Sequence, residues 1–194
     1  YIFVLIYYNK IVERGIVMKN IVIINSSPRK DGNSETLAKS FADGAKEAGN
    51  NVEFINLREK RINYCRGCYA CRQLGKCFQD DDMNDIVKKL VKADVILFST
   101  PVYFYTMNGQ MKVFIDRCVQ KYTKIHADIY IFVSGGDTEK SHLKLAVESI
   151  RGLTRDCFEG CEEKGCIISS GVTEMGDVSN KEVMTEAFYM GKNA

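Results

Sequence analysis

The pattern of apolar and polar residues switches repeatedly between strand and helix along the chain. Continuous apolar runs of strand length, typical of strands buried on both faces of a parallel sheet, occur at residues 21–25, 52–57, 95–98, 129–133 and 166–169. Apolar residues at helical spacing follow them, at residues 37–48, 83–91, 111–122, 143–153 and 179–191. Strand and helix therefore alternate from residue 21 to the end of the chain.

This alternation predicts an α/β domain in which a five-stranded parallel sheet lies between two layers of helices. The flavodoxin-like strand order 2-1-3-4-5 is the simplest doubly wound arrangement of five such strands. Gly49 predicts a left-handed stop after the first helix, and Asp81 and Asp82 predict the cap of the second. Ser179 and Glu182 have the spacing of a capping box before the last helix.

The composition is that of one ordinary domain. Of 194 residues, 45% are hydrophobic and 27% charged, and the net charge of +2 is too small to favour nucleic acid as a partner. The apolar run at residues 1–8 is too short for a membrane span and lacks the features of a cleaved leader. We interpret residues 1–17 as an upstream extension or artefact, with an added edge strand as the alternative. The domain is assigned to residues 18–194, and no membrane association is expected.

The turn after the first predicted strand, residues 26–36, has the composition of a phosphate-binding loop. It supplies hydroxyl donors, helix N-terminal amides and one guanidinium, from Ser26, Ser27, Ser34, Thr36 and Arg29. Because Gly32 is its only glycine and no Gly-Lys-Ser/Thr is present, it is neither a dinucleotide-binding turn nor a Walker loop. FMN fits this composition better than a dinucleotide or a nucleoside triphosphate. The alternative is an ordinary helix N-cap.

Two further loops are predicted at the same edge of the sheet, because the carboxyl ends of parallel strands meet there. The segment after the third strand, residues 99–109, is unusually aromatic for a loop. The segment after the fourth strand, residues 134–138, contains two glycines and can approach a ligand closely. Aromatic faces and backbone amides beside a phosphate crevice suit a flat isoalloxazine ring, and the alternative is a hydrophobic lid over the sheet edge.

Half of the eight cysteines lie in one short segment, as Cys65, Cys68, Cys71 and Cys77. Spacing by two residues lets one turn of backbone present two sulfurs to a common centre, and Cys77 supplies the fourth sulfur. This spacing fits an iron–sulfur cluster or a tetrahedral zinc site, and a loop without metal is the third alternative. Cysteines at metal-ligand spacing favour a reducing cytoplasm over a secreted disulfide framework.

Basic residues flank this cysteine segment. They are Arg58, Lys60, Arg61, Arg66, Arg72 and Lys76, against the single acid Glu59. Cations near an anionic cluster favour thiolates and raise the reduction potential, whereas the alternative is a solvated face or a docking patch for an acidic electron carrier. The other cysteines are interpreted as packing residues or incidental thiols, at Cys118, Cys157, Cys161 and Cys166. Neither His126 nor His142 is predicted to be catalytic.

From residue 19 to residue 192 the chain resembles the NAD(P)H-dependent FMN reductase family of the flavodoxin superfamily. The resemblance depends on residues 27–34, on residues 100–106 with 109–112, and on the cysteine segment that ends at residues 80–83. It implies that the FMN phosphate is surrounded by Ser27, Arg29, Asn33, Ser34 and Thr36. It implies that the ring packs against Pro101, Val102, Tyr103, Phe104, Tyr105 and Thr106. The far side of the ring would be completed by Ser134, Gly135, Gly136 and Asp137.

Within this family, the cysteine spacing is similar to that of the iron–sulfur flavoproteins. This implies a 4Fe-4S cluster on Cys65, Cys68, Cys71 and Cys77, in a loop inserted at residues 58–80. The expected function is electron exchange between FMN and the cluster, in a cytoplasmic homodimer or homotetramer. NAD(P)H is the expected transient electron donor, and a protein such as a ferredoxin is the alternative donor or acceptor. No side chain is predicted to be catalytic, because the flavin supplies the chemistry. The alternatives are a cluster-free NAD(P)H-dependent FMN or quinone reductase and a non-catalytic module clipped by zinc.

Overall fold

The computed structural model describes residues 18–194, so the predictions for residues 1–17 lie outside the described part. The described residues form six strands: β1 (Asn20–Asn25), β2 (Asn51–Asn56), β3 (Val95–Tyr103), β4 (Thr106–Met107), β5 (Asp128–Ser134) and β6 (Glu162–Ser169). They form six α-helices: α1 (Asn33–Glu47), α2 (Ala70–Leu74), α3 (Met83–Leu90), α4 (Gly109–Arg117), α5 (Lys140–Thr154) and α6 (Val183–Lys192). Short 3-10 helices lie at Leu57–Glu59, Cys118–Gln120, Tyr122–Lys124 and Asp177–Asn180.

The sheet has the predicted flavodoxin-like order. Five strands pair in the order β2-β1-β3-β5-β6, and every pairing among them is parallel. The strand count of five was wrong, because β3 continues to Tyr103 and turns back into β4, which pairs with it in antiparallel orientation. The turn consists of Phe104 and Tyr105, both with positive φ. The aromatic segment predicted as a loop is therefore partly strand and hairpin.

Helices cover both faces of the sheet and bury two apolar clusters. On one face α3, α4 and α5 contribute Met83, Leu90, Phe114 and Ile150 to the larger cluster. On the other face α1 and α6 contribute Leu37, Phe41, Ala45 and Ala187. Because β1 and the centre of β3 are buried between these layers, their carboxyl ends are held at one fixed edge of the molecule. Among residues 18–194, every helix is too short or too polar to span a bilayer.

Helix ends differ from the sequence pattern where tertiary contacts intervene. The predicted capping box at Ser179 and Glu182 was wrong, because residues 177–180 form a 3-10 turn and α6 begins at Val183. That turn is held from outside, since the Asn33 side chain accepts a hydrogen bond from the Val178 amide at 3.3 Å. At the start of α3 the carboxylate of Asp81 accepts from the Met83 amide at 3.2 Å. The cysteine segment is also more ordered than a simple loop, since it contains α2.

Candidate functional site

Loops at the carboxyl ends of β1, β3 and β5 surround one cavity of about 150 Å³. The predicted FMN-site residues that line it are Ser27, Arg29, Asn33, Ser34, Pro101, Val102, Tyr103, Ser134, Gly135 and Gly136. They converge because parallel strands end at the same edge of the sheet. The cavity is small compared with the roughly 300 Å³ or more of sites for drug-sized ligands. It therefore suits a phosphate and its adjoining chain, with a larger group at the open side by Tyr103.

Two predicted residues of the first loop support it from within. The Ser26 hydroxyl lies 3.4 Å from the Ser99 carbonyl oxygen, and Thr36 donates to the Asp31 carbonyl at 3.2 Å. The loop is braced further by Asn108, which donates to the Ser26 carbonyl at 2.6 Å. These residues fix the loop's shape, and the structure does not bring their side chains to the cavity.

The remaining predicted residues lie outside the cavity wall. Phe104 is 98% exposed at the hairpin tip, and Tyr105 packs edge-on against His142 with ring centroids 6.0 Å apart. The Thr106 hydroxyl forms a hydrogen bond with the Ser149 hydroxyl, and Thr106 does not line the cavity. The Asp137 carboxylate lies 2.8 Å from the His142 ring. This pair was not foreseen from the sequence, and it orients the fourth-strand loop.

The hydroxyls at the centre of the cavity are positioned by one another. The Oγ atoms of Ser34 and Ser134, both buried, are 2.7 Å apart and join α1 to the end of β5. The hydroxyl of Ser27 donates to the Arg29 carbonyl at 2.8 Å and closes the turn. A Cβ on Gly32 would lie only 2.7 Å from the Ser27 oxygen, so glycine is required there for the turn to close. The wall is thus fixed before any ligand arrives.

A fourth segment, at the carboxyl end of β6, completes the cavity and was not predicted. Val172 and Thr173 line it, together with Pro28 and Gly32. Arg29 donates to the Thr173 carbonyl at 3.0 Å, and Asn33 donates to the Glu174 carbonyl at 2.9 Å. This segment could have been predicted from the topology, because residues 172–174 follow the last strand, which ends at the same edge of the sheet. Nearby, Ser169 holds the one buried side-chain oxygen of the described residues that lacks a hydrogen-bond partner.

An ion pair between the partly buried Arg58 and the buried Glu35 supports the first loop. Arg58 donates from Nη1 to Glu35 Oε2 at 2.6 Å and from Nη2 to Oε1 at 3.3 Å. Glu35 also accepts from the Asp31 amide at 3.0 Å. Burial raises the pKa of Glu35, but the hydrogen bonds from Arg58 and Lys39 outweigh it and hold that pKa below its ordinary value. The sequence interpretation had counted Arg58 among the cations near the cysteines, and the structure turns it toward the phosphate-type loop.

These observations fit FMN at its phosphate end. The cavity presents hydroxyls, backbone amides and one exposed guanidinium, which is the donor set that binds a phosphomonoester. Side chains are excluded at Gly135 and Gly136, where an added Cβ would lie 3.1 Å from Leu143 and 2.6 Å from Thr173. Among the residues that the structure describes, no carboxylate lines this cavity, so an anionic ligand meets no direct repulsion from its wall.

The second and larger cavity, of about 550 Å³, is formed by the cysteine segment and the ends of α4 and α5. All four predicted metal ligands line it: Cys65, Cys68, Cys71 and Cys77. Cys71 is buried on α2, whereas Cys68 is exposed in irregular backbone. Within residues 18–194, no three Cys, His, Asp or Glu side chains already converge in an arrangement that would hold a metal ion. The thiols suit a cluster in kind, and the exposed part of the segment would have to close for them to meet.

The wall of this cavity includes two residues that sequence reasoning assigned no role. Cys157, interpreted as an incidental thiol, lines this cavity from the residues after α5. Arg117, at the last residue of α4, is the only arginine or lysine among the described residues that is buried. The sequence did not indicate this role for Arg117, because Arg117 is far from the cysteines along the chain and only the fold brings α4 next to them. The buried cation of this site therefore comes from outside the basic segment.

Comparison with known proteins identifies the family of this chain. The sequence profile of the family described as NADPH-dependent FMN reductase matches residues 19–152. An iron-sulfur flavoprotein of Methanocaldococcus jannaschii is 39% identical over 97 residues, which are 50% of this chain and 50% of that protein. YwqN of Bacillus subtilis, whose name describes a candidate NAD(P)H-dependent FMN-containing oxidoreductase, is 25% identical over 168 residues, covering 81% of this chain and 88% of YwqN.

Among solved structures, an NAD(P)H:quinone oxidoreductase from Methanothermobacter marburgensis has a TM-score of 0.69 at 19% identity, covering 91% of this chain and 97% of that chain. At this identity the likeness is one of fold. The chain spans about half the length of the iron-sulfur flavoproteins that it matches, with 50% and 45% of two such relatives covered.

Proposed function

Because the chain belongs to the NADPH-dependent FMN reductase family, we propose that it is an FMN-dependent oxidoreductase that exchanges electrons between FMN and a 4Fe-4S cluster. The cluster would be held by Cys65, Cys68, Cys71 and Cys77. One observation carries the proposal. All four thiols line a single cavity, and the same chain has a second cavity, at the edge of its sheet, whose residues suit a phosphate. The names of relatives that are iron-sulfur flavoproteins support it.

The two cofactors would have separate roles. Bound FMN converts between two-electron and one-electron chemistry, and the protein binds it, orients it and excludes water. Ser34 and Ser134 would hold the phosphate end with the amides of α1, while Tyr103 and the backbone of Gly135 and Gly136 would border the ring. NAD(P)H or a protein electron carrier such as a ferredoxin is the proposed electron donor or acceptor. We propose a homodimer or homotetramer in the cytoplasm.

An anaerobic spectrum with metal analysis tests the central proposal. Purified protein should have flavin bands, broad sulfur-to-iron absorption and about four iron atoms per chain, as a 4Fe-4S cluster requires. Cys77→Ser should keep the flavin and lose the iron. Cys161→Ser is the matched control, because Cys161 is a partly buried thiol that donates to the Ile125 carbonyl and does not line the cavity. Flavin without iron in the wild type, or zinc in a protein without iron absorption, would refute the cluster.

A second function, cluster-free NAD(P)H-dependent reduction of FMN or a quinone, is favoured by one observation. YwqN, whose name describes an NAD(P)H-dependent FMN-containing oxidoreductase, is similar to 81% of this chain. For this function NAD(P)H should bleach the flavin, and serine at all four loop cysteines should leave the activity unchanged. The proposed function requires instead that this variant lose one-electron transfer.

Arg29→Ala should weaken FMN binding about tenfold and leave riboflavin binding unchanged. Arg29 lines the cavity and is exposed, so its contribution lies near the lower end of the range of about 1.5–3 kcal/mol for hydrogen bonds to charged groups. Riboflavin lacks the phosphate and serves as the internal reference. Fluorescence quenching of both flavins measures the two affinities.

Lys30→Ala provides the control for Arg29→Ala. Lys30 is an equally charged and exposed neighbour that does not line the cavity, so its loss should change neither affinity appreciably. If Arg29→Ala weakens both flavins equally, the guanidinium does not contact the phosphate.

A further inference from the structure

The segment that carries the four cysteines is closed at its neck by one buried ion pair. Arg117 and Asp81 have side chains that are 1% and 0% exposed. Arg117 Nη1 donates to Asp81 Oδ2 at 2.7 Å, and Nη2 donates to Oδ1 at 3.0 Å. Burial opposes the charge on Arg117, but the Asp81 carboxylate outweighs it and the pKa of the guanidinium is raised. The contact is therefore a bidentate pair between two charged groups.

The same pair holds the other end of the segment. Arg117 Nη1 donates to the carbonyl of Asn63 at 2.6 Å. The amide and the side-chain nitrogen of Asn63 donate to Asp81 Oδ2 at 3.0 and 3.2 Å. Residues 63 and 81 thus meet at the end of α4, and all four cysteines lie on the chain between them. We call this group of Asn63, Asp81 and Arg117 the neck clamp.

Inside the neck, Cys77 is the cysteine whose backbone is held most firmly by side chains. Its amide donates to Asn84 Oδ1 and to Gln120 Oε1, each at 3.1 Å. Its carbonyl accepts from Asn84 Nδ2 at 3.0 Å. Gln120 also donates from Nε2 to the Arg117 carbonyl at 3.4 Å, which connects the Cys77 backbone to the last residue of α4. The Cys77 backbone and the neck clamp are therefore parts of one hydrogen-bonded network.

Other cations near the cysteines have different contacts. Arg72 stacks on Tyr69, with its guanidinium carbon 4.3 Å from the ring centroid, and Arg66 lies over Phe78 at 5.8 Å. Both are exposed, so solvent screens their charge. Lysine would not replace Arg117, because a single ammonium cannot present the planar fork that bonds Asp81 at both oxygens and Asn63 at once.

We propose that Arg117 is a positioning residue, which closes the neck of the cysteine segment and holds Cys77 as the fixed corner of the metal site. The inference rests on the proposed function for its ligand and goes beyond it in assigning the residue that assembles the site. Cys77 would be ready before metal arrives, and the exposed residues around Cys68 would close onto it. Residues that orient metal ligands through hydrogen bonds affect metal binding without being ligands.

The test compares Arg117→Lys and Asp81→Asn with Arg151→Met after anaerobic reconstitution with iron and sulfide. Arg151 is the matched control, because it forms a bidentate pair with Glu163 and does not line the cavity. Iron release to a chelator should be about tenfold faster in both clamp variants, at the lower end of the effect of such orienting residues. Electron paramagnetic resonance of the reduced cluster should change in these variants only. FMN affinity should be equal in all of them.

A second measurement uses the protein without metal. Alkylation of Cys77 should be severalfold faster in Arg117→Lys, while alkylation of Cys161, a partly buried thiol that does not line the cavity, should be unchanged. Unchanged cluster lifetime, resonance and alkylation would overturn the proposal. The proposal would also be overturned if FMN affinity, melting temperature and iron content all fell together, because that pattern indicates a general loss of stability. If the wild type takes up no iron, the proposed function fails, and the Cys77 alkylation rate still decides whether the clamp positions this thiol.

Discussion

Gly44→Ala is expected to lower the free energy of unfolding by about 2 kcal/mol, in the middle of the range for overpacked sites. A Cβ at Gly44 would lie 2.0 Å from the carbonyl oxygen of Phe188, which is backbone of α6 and cannot rotate away. The reverse contact, from α6 to α1, is equally close, since a Cβ at Gly191 would lie 1.9 Å from the carbonyl oxygen of Phe41. These two glycines let the backbones of α1 and α6 touch. An added methyl group has to push the helices apart.

The control for this prediction lies in another helix. Apart from neighbouring atoms of its own helix, no atom of residues 18–194 lies within 4 Å of a Cβ added at Gly152 of α5, so Gly152→Ala should stabilise the protein by about 0.5–1 kcal/mol through helix propensity alone. Thermal unfolding distinguishes the two, because 1 kcal/mol shifts the midpoint by about 2–4 °C in a chain of this size. A Gly44→Ala protein that melts at or above the wild-type temperature would contradict the close packing of α1 on α6.

The effect of Gly44→Ala should extend to the candidate FMN site. Helix α1 begins at Asn33 and carries Ser34, whose hydroxyl meets Ser134 at 2.7 Å. A shift of α1 away from α6 therefore changes the spacing of the two central hydroxyls. We expect Gly44→Ala to weaken FMN binding as well as stability, whereas Gly152→Ala should leave it unchanged.

Most of the sheet could be predicted from the sequence because its strands are buried on both faces. A continuous apolar run such as residues 21–25 has few alternatives when a helical pattern follows it, and handedness rules then leave few strand orders. The β3–β4 hairpin could not be predicted in this way. Its turn places Phe104 and Tyr105 in the left-handed region, which residues with a Cβ rarely adopt. The sequence signal for such a turn is normally glycine or asparagine, and neither is present here.

The candidate sites divide in the same way. Residues at or near the carboxyl ends of strands, such as Ser27 and Ser134, could be found because topology alone brings strand ends together. The roles of Arg117 and Arg58 could not be predicted, since each pairs with a carboxylate that is far away in the sequence. From the sequence alone the two arginines carry the same charge and cannot be told apart. Only the packing of α4 and α1 decides which carboxylate each guanidinium meets. Local charge counts therefore misassigned Arg58 and missed Arg117.

Glu35→Gln should lower the free energy of unfolding by about 2 kcal/mol at neutral pH, because Arg58 is only partly buried and keeps its pairing with Glu59. The Glu35 side chain is 3% exposed, and without its charge Arg58 is left partly buried beside the Ser27 carbonyl. Glu47→Gln is the matched control on the same helix. Glu47 pairs with Lys192 at the surface, so its loss should cost less than about 1 kcal/mol. Urea unfolding at pH 7 measures both differences.

The effect of Glu35→Gln should disappear in acid, with a sign fixed by the direction of the pKa shift. Burial raises the pKa of Glu35, but Arg58 and Lys39 lower it more, so the folded-state value lies below the ordinary 4.5. The stabilisation by Glu35 is therefore fully present above about pH 4.5 and is lost as the pH falls through the folded-state value. Asp81 has a lowered pKa too, but it titrates in both proteins and cancels in the comparison. Urea midpoints of wild type and variant should converge below pH 4.5, and a difference that persists unchanged to pH 3 would mean that Glu35 stabilises the loop by shape rather than by charge.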